Sequence, residues 1–253
     1  MALLARDMKD IVGKSGAGKV PLSNRDGVSS KDEVSQFLSK VCTSPNPNPQ
    51  GTRGRLIFAL DATASREATW DRACHVQAEM FEVTKSLGGL DVQLIFFRGF
   101  GECKSSKWHS DPSELGRVMT GVRCLGGQTQ IGKVLSHALK ETRTKRVGAL
   151  IFVGDAFEED IDAVCHKAGE LGVHNVPAFM FHEGGDPIAR KSFEQIARLT
   201  GGAACSFDLS SAERLKELLA AVAVFAAGGR QALLNYGNTS GEAVRLLTNQ
   251  MRR

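Results

Sequence analysis

From residue 55 onward, short runs of apolar residues alternate with longer amphipathic segments, and this alternation constrains the fold most. The runs LIFALD (56–61) and VGALIFVGD (147–155) are almost continuously apolar, which is typical of strands covered on both faces. The segments between such runs, for example 131–145, have the apolar spacing of helices that pack on a sheet. Repeated strand–helix units predict an α/β fold with parallel strands and right-handed crossovers.

One predicted strand does not fit a purely parallel sheet. The segment ECKSSKWHS (102–110) follows the strand DVQLIFFRGF (91–100) with almost no connection, whereas a parallel crossover needs a longer one. Because it is also short and polar, we predict an antiparallel edge strand. The whole pattern predicts a doubly wound, Rossmann-like, mostly parallel six-stranded sheet with one antiparallel edge strand and helices on both faces. The predicted strands are 56–61, 91–100, 102–110, 147–155, 176–184 and 204–209.

The first fifty residues have a different pattern. Residues 31–41 predict one short amphipathic helix. The Pro and Asn residues of TSPNPNPQGTRG (43–54) disfavour both helix and strand, as in a linker. We therefore divide the chain into an N-terminal extension with its linker (1–50) and an α/β domain with C-terminal helices (51–253).

The composition argues against several classes of partner. The formal net charge is only +4, and one Tyr and two Trp provide little surface for base stacking, so no nucleic acid is expected. The longest apolar run, 218–229, is shorter than the roughly 20 residues of a membrane span, so no membrane insertion is expected. The six cysteines are far apart and form no CxxC pair, which predicts reduced thiols and a cytoplasmic location.

Oxygen-bearing side chains follow two of the predicted parallel strands. Asp61 ends the first strand, and Thr63 and Ser65 follow at every second residue. Asp155 ends the strand 147–155. If the strand order is 3-2-1-4-5-6, these two strands are neighbours and their carboxylates emerge side by side. Ligands bind at this point of a doubly wound sheet, where the direction of winding reverses.

The Gly-rich loop LGGQTQIG (125–132) supplies a further hydroxyl. It precedes the helix that leads into the strand ending at Asp155, so Thr129 is expected to lie over the same strand ends. With Thr129 there are five candidate oxygen ligands and no His or Cys among them. Such hard donors favour a hard divalent cation, and their small number favours Mg²⁺ or Mn²⁺ over Ca²⁺.

Three segments resemble the metal-ion-dependent adhesion site (MIDAS) of von Willebrand factor type A (vWA) domains. They are LIFALDATASRE, GGQTQIGKVLSHAL and LIFVGDAFEE, in the same order and spacing as in that family. The family has Asp-x-Ser-x-Ser after its first strand, a Thr in a Gly-rich loop and an Asp ending its fourth strand. The matching positions are Asp61, Thr63, Ser65, Thr129 and Asp155.

Two departures from the family pattern accompany the match: Thr63 replaces the usual Ser, and Ala156 stands where Gly is frequent. The resemblance implies a divalent ion with one open coordination position that accepts an Asp or Glu of a protein partner. None of the five residues is a nucleophile with an attached base, so we expect a binding module and no catalytic residues.

A haloacid-dehalogenase-like phosphotransferase is the alternative. In that interpretation Asp61 is the phosphorylated nucleophile, although Thr63 stands where most such hydrolases have a general-acid Asp. The interpretation also leaves GGQTQIG without a role. In the phosphotransferase interpretation, Asp155 together with Glu159 or Asp160 binds Mg²⁺, and Lys133 or Lys145 binds the phosphate.

Overall fold

The computed structural model describes residues 31–43, 53–66, 70, 80–84, 89–207 and 212–239. Six strands form one sheet, as predicted, and their ends agree with the predicted ends to within two residues. The strands are β1 (Gly54–Asp61), β2 (Leu90–Arg98), β3 (Glu102–His109), β4 (Ala149–Gly154), β5 (Ala178–Glu183) and β6 (Ala203–Phe207).

The strand order is β3-β2-β1-β4-β5-β6. All neighbouring pairs are parallel except β2 and β3, so the antiparallel edge strand is confirmed. β1 lies between β2 and β4, and Asp61 is opposite Phe97 of β2. The winding therefore reverses between β1 and β4, which is the position expected for a ligand site.

Six helices have both ends within the described residues and surround the sheet: α1 (Lys31–Thr43), α2 (Pro112–Thr120), α3 (Ile131–Thr144), α4 (Ile161–Val173), α5 (Pro187–Thr200) and α6 (Ala212–Thr239). The sequence offers Ser110 or Asp111 as the cap of α2, with Pro112 in the first turn, and Asp111 is the observed cap. The sequence also predicts a long helix at 66–89, of which residues 70 and 80–84 are helical, and most of the remainder lies outside the described residues. A further helix is predicted at 212–227, and the observed helix continues to Thr239, with a break in helical geometry at Gly229.

The sheet has a hydrophobic core on each face. Side chains of β1 alternate between the two cores: Leu56, Phe58 and Leu60 belong to one, and Ile57 and Ala59 to the other. The first core also contains residues of α1 and α6, and the second contains residues of α3, α4 and α5. The predicted placement of helices on both faces is confirmed.

Helix α1, inside the predicted N-terminal extension, packs on the first core. Its residues Val34, Phe37 and Val41 are buried. The ring of Phe37 lies 5.4 Å from that of Phe181 and 6.1 Å from that of Phe179, both on β5. The division of the chain at residue 50 stays a prediction, but the helix before it contributes apolar area to the sheet domain.

None of the helices in the described residues is both long enough and apolar enough to cross a membrane. Cys103 and Cys165 are free thiols. Burial raises the pKa of the Cys103 thiol, so this side chain stays protonated at neutral pH.

Candidate metal centre

Asp61 lies at the buried end of β1 with only 1% of its surface exposed. The strand continues its pairing for one more residue, because the Ala62 N–H donates to the Phe97 carbonyl at 3.0 Å. The chain then turns, and Oδ1 of Asp61 accepts the N–H of Thr63 at 2.7 Å. An aspartate that binds the backbone two residues later stabilises such a turn, and here it sets the direction of the following hydroxyls.

The two hydroxyls after Asp61 lie next to each other. Oγ1 of Thr63 and Oγ of Ser65 are 3.2 Å apart. Thr63 is buried, whereas Ser65 is exposed in a short 3₁₀ turn, Ala64–Arg66. The first predicted element is therefore compact, with its carboxylate inside and one hydroxyl at the surface.

Asp155 follows the neighbouring strand β4. Leu60 is paired with Val153, so Asp61 and Gly154 come next on the two strands, and a Cβ at Gly154 would lie 3.5 Å from Cβ of Asp61. Oδ1 of Asp155 is buried and makes no hydrogen bond with the described residues. Buried carboxylate oxygens are normally paired, so this atom fits a ligand to a cation.

The loop between α2 and α3 carries Thr129 to the same end of the sheet. Its Leu125 N–H donates to the Ala62 carbonyl at 3.0 Å, which joins the loop to the turn after Asp61. Thr129 is buried, and its Oγ1 accepts the N–H of Glu158 at 2.9 Å. In return, Oε2 of Glu158 accepts the Thr129 N–H at 3.0 Å. The loop is thus bonded to the segments that follow both β1 and β4.

A close backbone contact supports this loop from the side of β2. A Cβ at Gly127 would lie 2.2 Å from the Gly99 carbonyl oxygen, so only glycine fits there. The Gln128 N–H donates to the same carbonyl at 3.2 Å, and Nε2 of Gln130 approaches it at 3.3 Å. The Gly-rich composition of the loop therefore has a steric cause at Gly127.

Glu158 and Glu159 are parts of the site that the sequence interpretation placed elsewhere. The sequence predicts a helix at 158–172 with these acidic residues at its positive end, but α4 begins at Ile161 and Asp160 caps it. The carboxylate of Glu159 accepts the N–H groups of Ile131 and Gly132, the latter at 2.9 Å. It thereby caps α3, whose N-cap residue makes no side-chain cap bond. The sequence signal for this was Gln130 at the N-cap position of α3, because Gln is not one of the residue types that usually cap a helix.

Burial raises the pKa of the Glu159 carboxyl, and its hydrogen bonds from Gly132 and Ile131 act in the opposite direction. The ammonium group of Lys167 also lowers this pKa. Nζ of Lys167 donates to the Gly132 carbonyl at 3.2 Å, so it lies near the capped turn. The first turn of α3 is therefore held by a carboxylate and an ammonium group from the segment after β4.

The five predicted ligands are hard oxygen donors, and their residue types fit a hard divalent cation. The described residues contain no group of three or more His, Cys, Asp or Glu side chains arranged to hold a metal ion. A cation here would accordingly depend on the three hydroxyls together with the two aspartates.

No protein-family model and no curated protein matches this chain. Solved structures do match its fold. The pilus adhesin SpaC of Lactobacillus rhamnosus GG has a TM-score of 0.56 at 11% identity over 76% of this chain. The SpRpn10 VWA domain has a TM-score of 0.52 at 13% identity over 70%. Proximal thread matrix protein 1 of the mussel byssus, with a zinc-occupied MIDAS motif, has a TM-score of 0.52 at 17% identity over 72%.

The matched share of these proteins differs. This chain spans 98% of the SpRpn10 VWA domain, but 31% of SpaC and 46% of the byssus protein. The common part is the sheet domain, and identities this low carry information about the fold alone. The six-stranded sheet with its flanking helices has the fold of a von Willebrand factor type A domain.

Proposed function

We propose that this chain is a protein-interaction module that binds Mg²⁺ or Mn²⁺ through Asp61, Thr63, Ser65, Thr129 and Asp155. One observation carries the proposal: the buried Oδ1 of Asp155 makes no hydrogen bond with the described residues. Asp155 directly follows β4, the strand next to β1, and Glu158 of the same segment is bonded to Thr129. A cation at this position would pair with the buried carboxylate oxygen. The zinc-occupied MIDAS motif of the byssus protein supports a divalent ion in this fold.

The partner follows from the charge of the proposed centre. Two carboxylates and three neutral hydroxyls leave a divalent ion electrophilic, and an ion of this kind takes a further oxygen ligand. We propose that an Asp or Glu of a partner protein supplies that oxygen. Within the chain, Asp61 orients the Thr63 turn and Glu158 holds Thr129, so the hydroxyls are positioned before a partner arrives.

The phosphotransferase alternative has less support. This alternative needs Glu159 or Asp160 beside Asp155 as a Mg²⁺ ligand, but Glu159 caps α3 and Asp160 accepts the Ala163 N–H at 2.8 Å. The backbone of Lys145 accepts a hydrogen bond from Arg55 near the start of β1, at the opposite end of the sheet from Asp61. Nζ of Lys133 donates to the Gly101 carbonyl at 2.8 Å. We therefore propose binding rather than catalysis.

We propose a cytoplasmic location, which rests on the spacing of the cysteines and on the free thiols of Cys103 and Cys165. SpaC is a pilus adhesin, so similar folds also occur in surface proteins. Labelling the native protein with a thiol reagent, directly after cell lysis, would test this point. Disulfide bonds between cysteines of the native protein would contradict a location in a reducing compartment.

Thermal unfolding in increasing Mg²⁺ or Mn²⁺ tests the metal site. A ligand that binds only the native state stabilises it by about 2.7 kcal/mol at 100 times its Kd. We expect the stabilisation in wild type and in Thr129→Ser, which keeps the hydroxyl, but little in Thr129→Val. Because Oγ1 of Thr129 also accepts the Glu158 N–H, the informative quantity is the metal-dependent shift of Tm within each variant. An equal shift in Thr129→Val contradicts the proposed ligand set.

A further inference from the structure

Two large apolar side chains are exposed on the loops beside the candidate metal centre. Phe100, in the turn between β2 and β3, is 87% exposed, and Leu125, in the loop that carries Thr129, is 54% exposed. A Cβ at Gly99 would lie 3.7 Å from Cδ2 of Leu125, so Leu125 lies against the residue before Phe100. Single exposed apolar residues are common, but these two lie on touching loops. We call Phe100 and Leu125 the apolar rim.

Backbone hydrogen bonds hold the apolar rim against the centre. The Leu125 N–H donates to the carbonyl of Ala62, the residue between Asp61 and Thr63. The Gly99 N–H donates to the Leu125 carbonyl at 3.5 Å, which joins the two loops of the rim. Since hydrogen bonds already hold these loops in the free protein, binding of a partner costs little conformational entropy of the loop backbone.

Basic residues lie close in the chain to the apolar rim. Arg123 is exposed two residues before Leu125, and its carbonyl accepts Nη1 of Arg98 at 2.7 Å. Nζ of Lys133 donates to the carbonyl of Gly101, the residue after Phe100, at 2.8 Å. The exposed carboxylates of Glu158 and Asp160 belong to the segment after β4. Electrostatics therefore favour an acidic partner segment on the side of the rim.

We infer that the partner segment carries an apolar side chain next to its metal-binding carboxylate, and that Phe100 and Leu125 bind this side chain. The inference rests on the proposed metal-bridged recognition. A metal accepts any Asp or Glu that reaches it, so the bridge alone distinguishes partners poorly. Apolar contacts at a fixed distance from the metal distinguish one partner from another. A partner with a polar residue beside its carboxylate leaves Phe100 and Leu125 exposed to water and binds less tightly.

The inference is tested by measuring how tightly six-residue peptides with blocked termini bind to the full chain in the presence of Mg²⁺. One set contains Leu directly before or directly after a single Asp in a Gly/Ser background, and the matched peptide has Ser in place of Leu. We expect at least one Leu peptide to bind about tenfold more tightly than the Ser peptide, which corresponds to about 1.4 kcal/mol. The preference should disappear in the double variant Phe100→Ser, Leu125→Ser, measured by NMR titration.

Val173→Ser is the matched control variant. Val173 is 81% exposed, and it ends α4 at the opposite end of the sheet from the centre, so its replacement should leave the Leu preference unchanged. Equal Mg²⁺-dependent binding of the Leu and Ser peptides overturns the inference and leaves the proposed function intact. A Leu preference that survives in the double variant overturns the assignment to Phe100 and Leu125. Failure of every peptide to bind a protein that Mg²⁺ stabilises overturns both the inference and the carboxylate bridge.

Discussion

Replacing Glu159 by alanine removes the carboxylate that caps helix α3. This carboxylate accepts the N–H groups of Ile131 and Gly132, two buried residues in the first turn. A buried donor without a partner costs about 1–3 kcal/mol, and a carboxylate at a helix N-terminus contributes about 0.3–1 kcal/mol more. Glu159 is itself only partly buried, so water can reach part of the vacated space. We expect Glu159→Ala to lower the free energy of unfolding by about 2–3 kcal/mol.

Urea unfolding provides the measurement, with the slope m expected to be unchanged and the midpoint lowered. Glu159→Gln keeps one acceptor oxygen and should lose about half as much stability. Glu170→Ala is the matched control, because this carboxylate is 43% exposed and its contacts with the described residues are ion pairs, at 3.3 Å to His166 and 3.9 Å to Arg143. Its removal should cost less than about 1 kcal/mol. Midpoints that agree within error for Glu159→Ala and Glu170→Ala would refute the capping role.

Three further perturbations test other parts of the structure. Gly127→Ala places a Cβ 2.2 Å from the Gly99 carbonyl oxygen and should lower the stability by about 1–3 kcal/mol in urea unfolding. Phe37→Ala should cost about 3–5 kcal/mol by the same measurement, because this ring is buried between α1 and the sheet. Hydrogen bonds from Arg98, then Lys104, lower the pKa of Glu102 from its usual 4.5 to about 2. The stability that this carboxylate contributes is therefore present above about pH 4.5 and lost as the pH falls through about 2, and an NMR titration of its side chain should show the low pKa.

Each of these has a control. Gly126→Ala should be neutral, since a Cβ there meets nothing within 4 Å, and equal losses at the two glycines would refute the steric argument. Gln36→Ala removes an exposed neighbour of Phe37 on α1, so it should change the stability by less than about 0.5 kcal/mol. Arg98→Met should raise the pKa of Glu102 toward its usual value, and an unchanged pKa would show that Arg98 is not the main cause.

The strands were predictable because their signal is local. A buried strand needs consecutive apolar residues, and LIFALD and LIFV meet that need whatever the rest of the chain does. The antiparallel edge strand followed from the short connection at 99–101, which cannot hold a crossover. The strand order entered the sequence interpretation only as a condition, 3-2-1-4-5-6, and the observed sheet has this order.

For the candidate centre, the sequence supplied the five oxygen donors and the end of the sheet where they belong. It did not supply Glu158 and Glu159, which were assigned to the start of the following helix. Their partners, Thr129 and the first turn of α3, lie 27 to 29 residues earlier in the chain. Two helices begin at this end of the sheet, and the residues around a glutamate in the sequence do not indicate which of the two helices it will cap.

Amino-acid order by itself determined the α/β class, the positions of the strands and the residue types of the proposed centre, since each depends on patterns within a few residues. Tertiary structure alone decided that α1 packs on the first core and that Ser65 is exposed while Thr63 is buried. It also decided that the loops that carry Phe100 and Leu125 touch each other beside the centre. These outcomes depend on which distant segments reach the same face or edge of the sheet, and that proximity arises only when the strands pair in register and the helices pack.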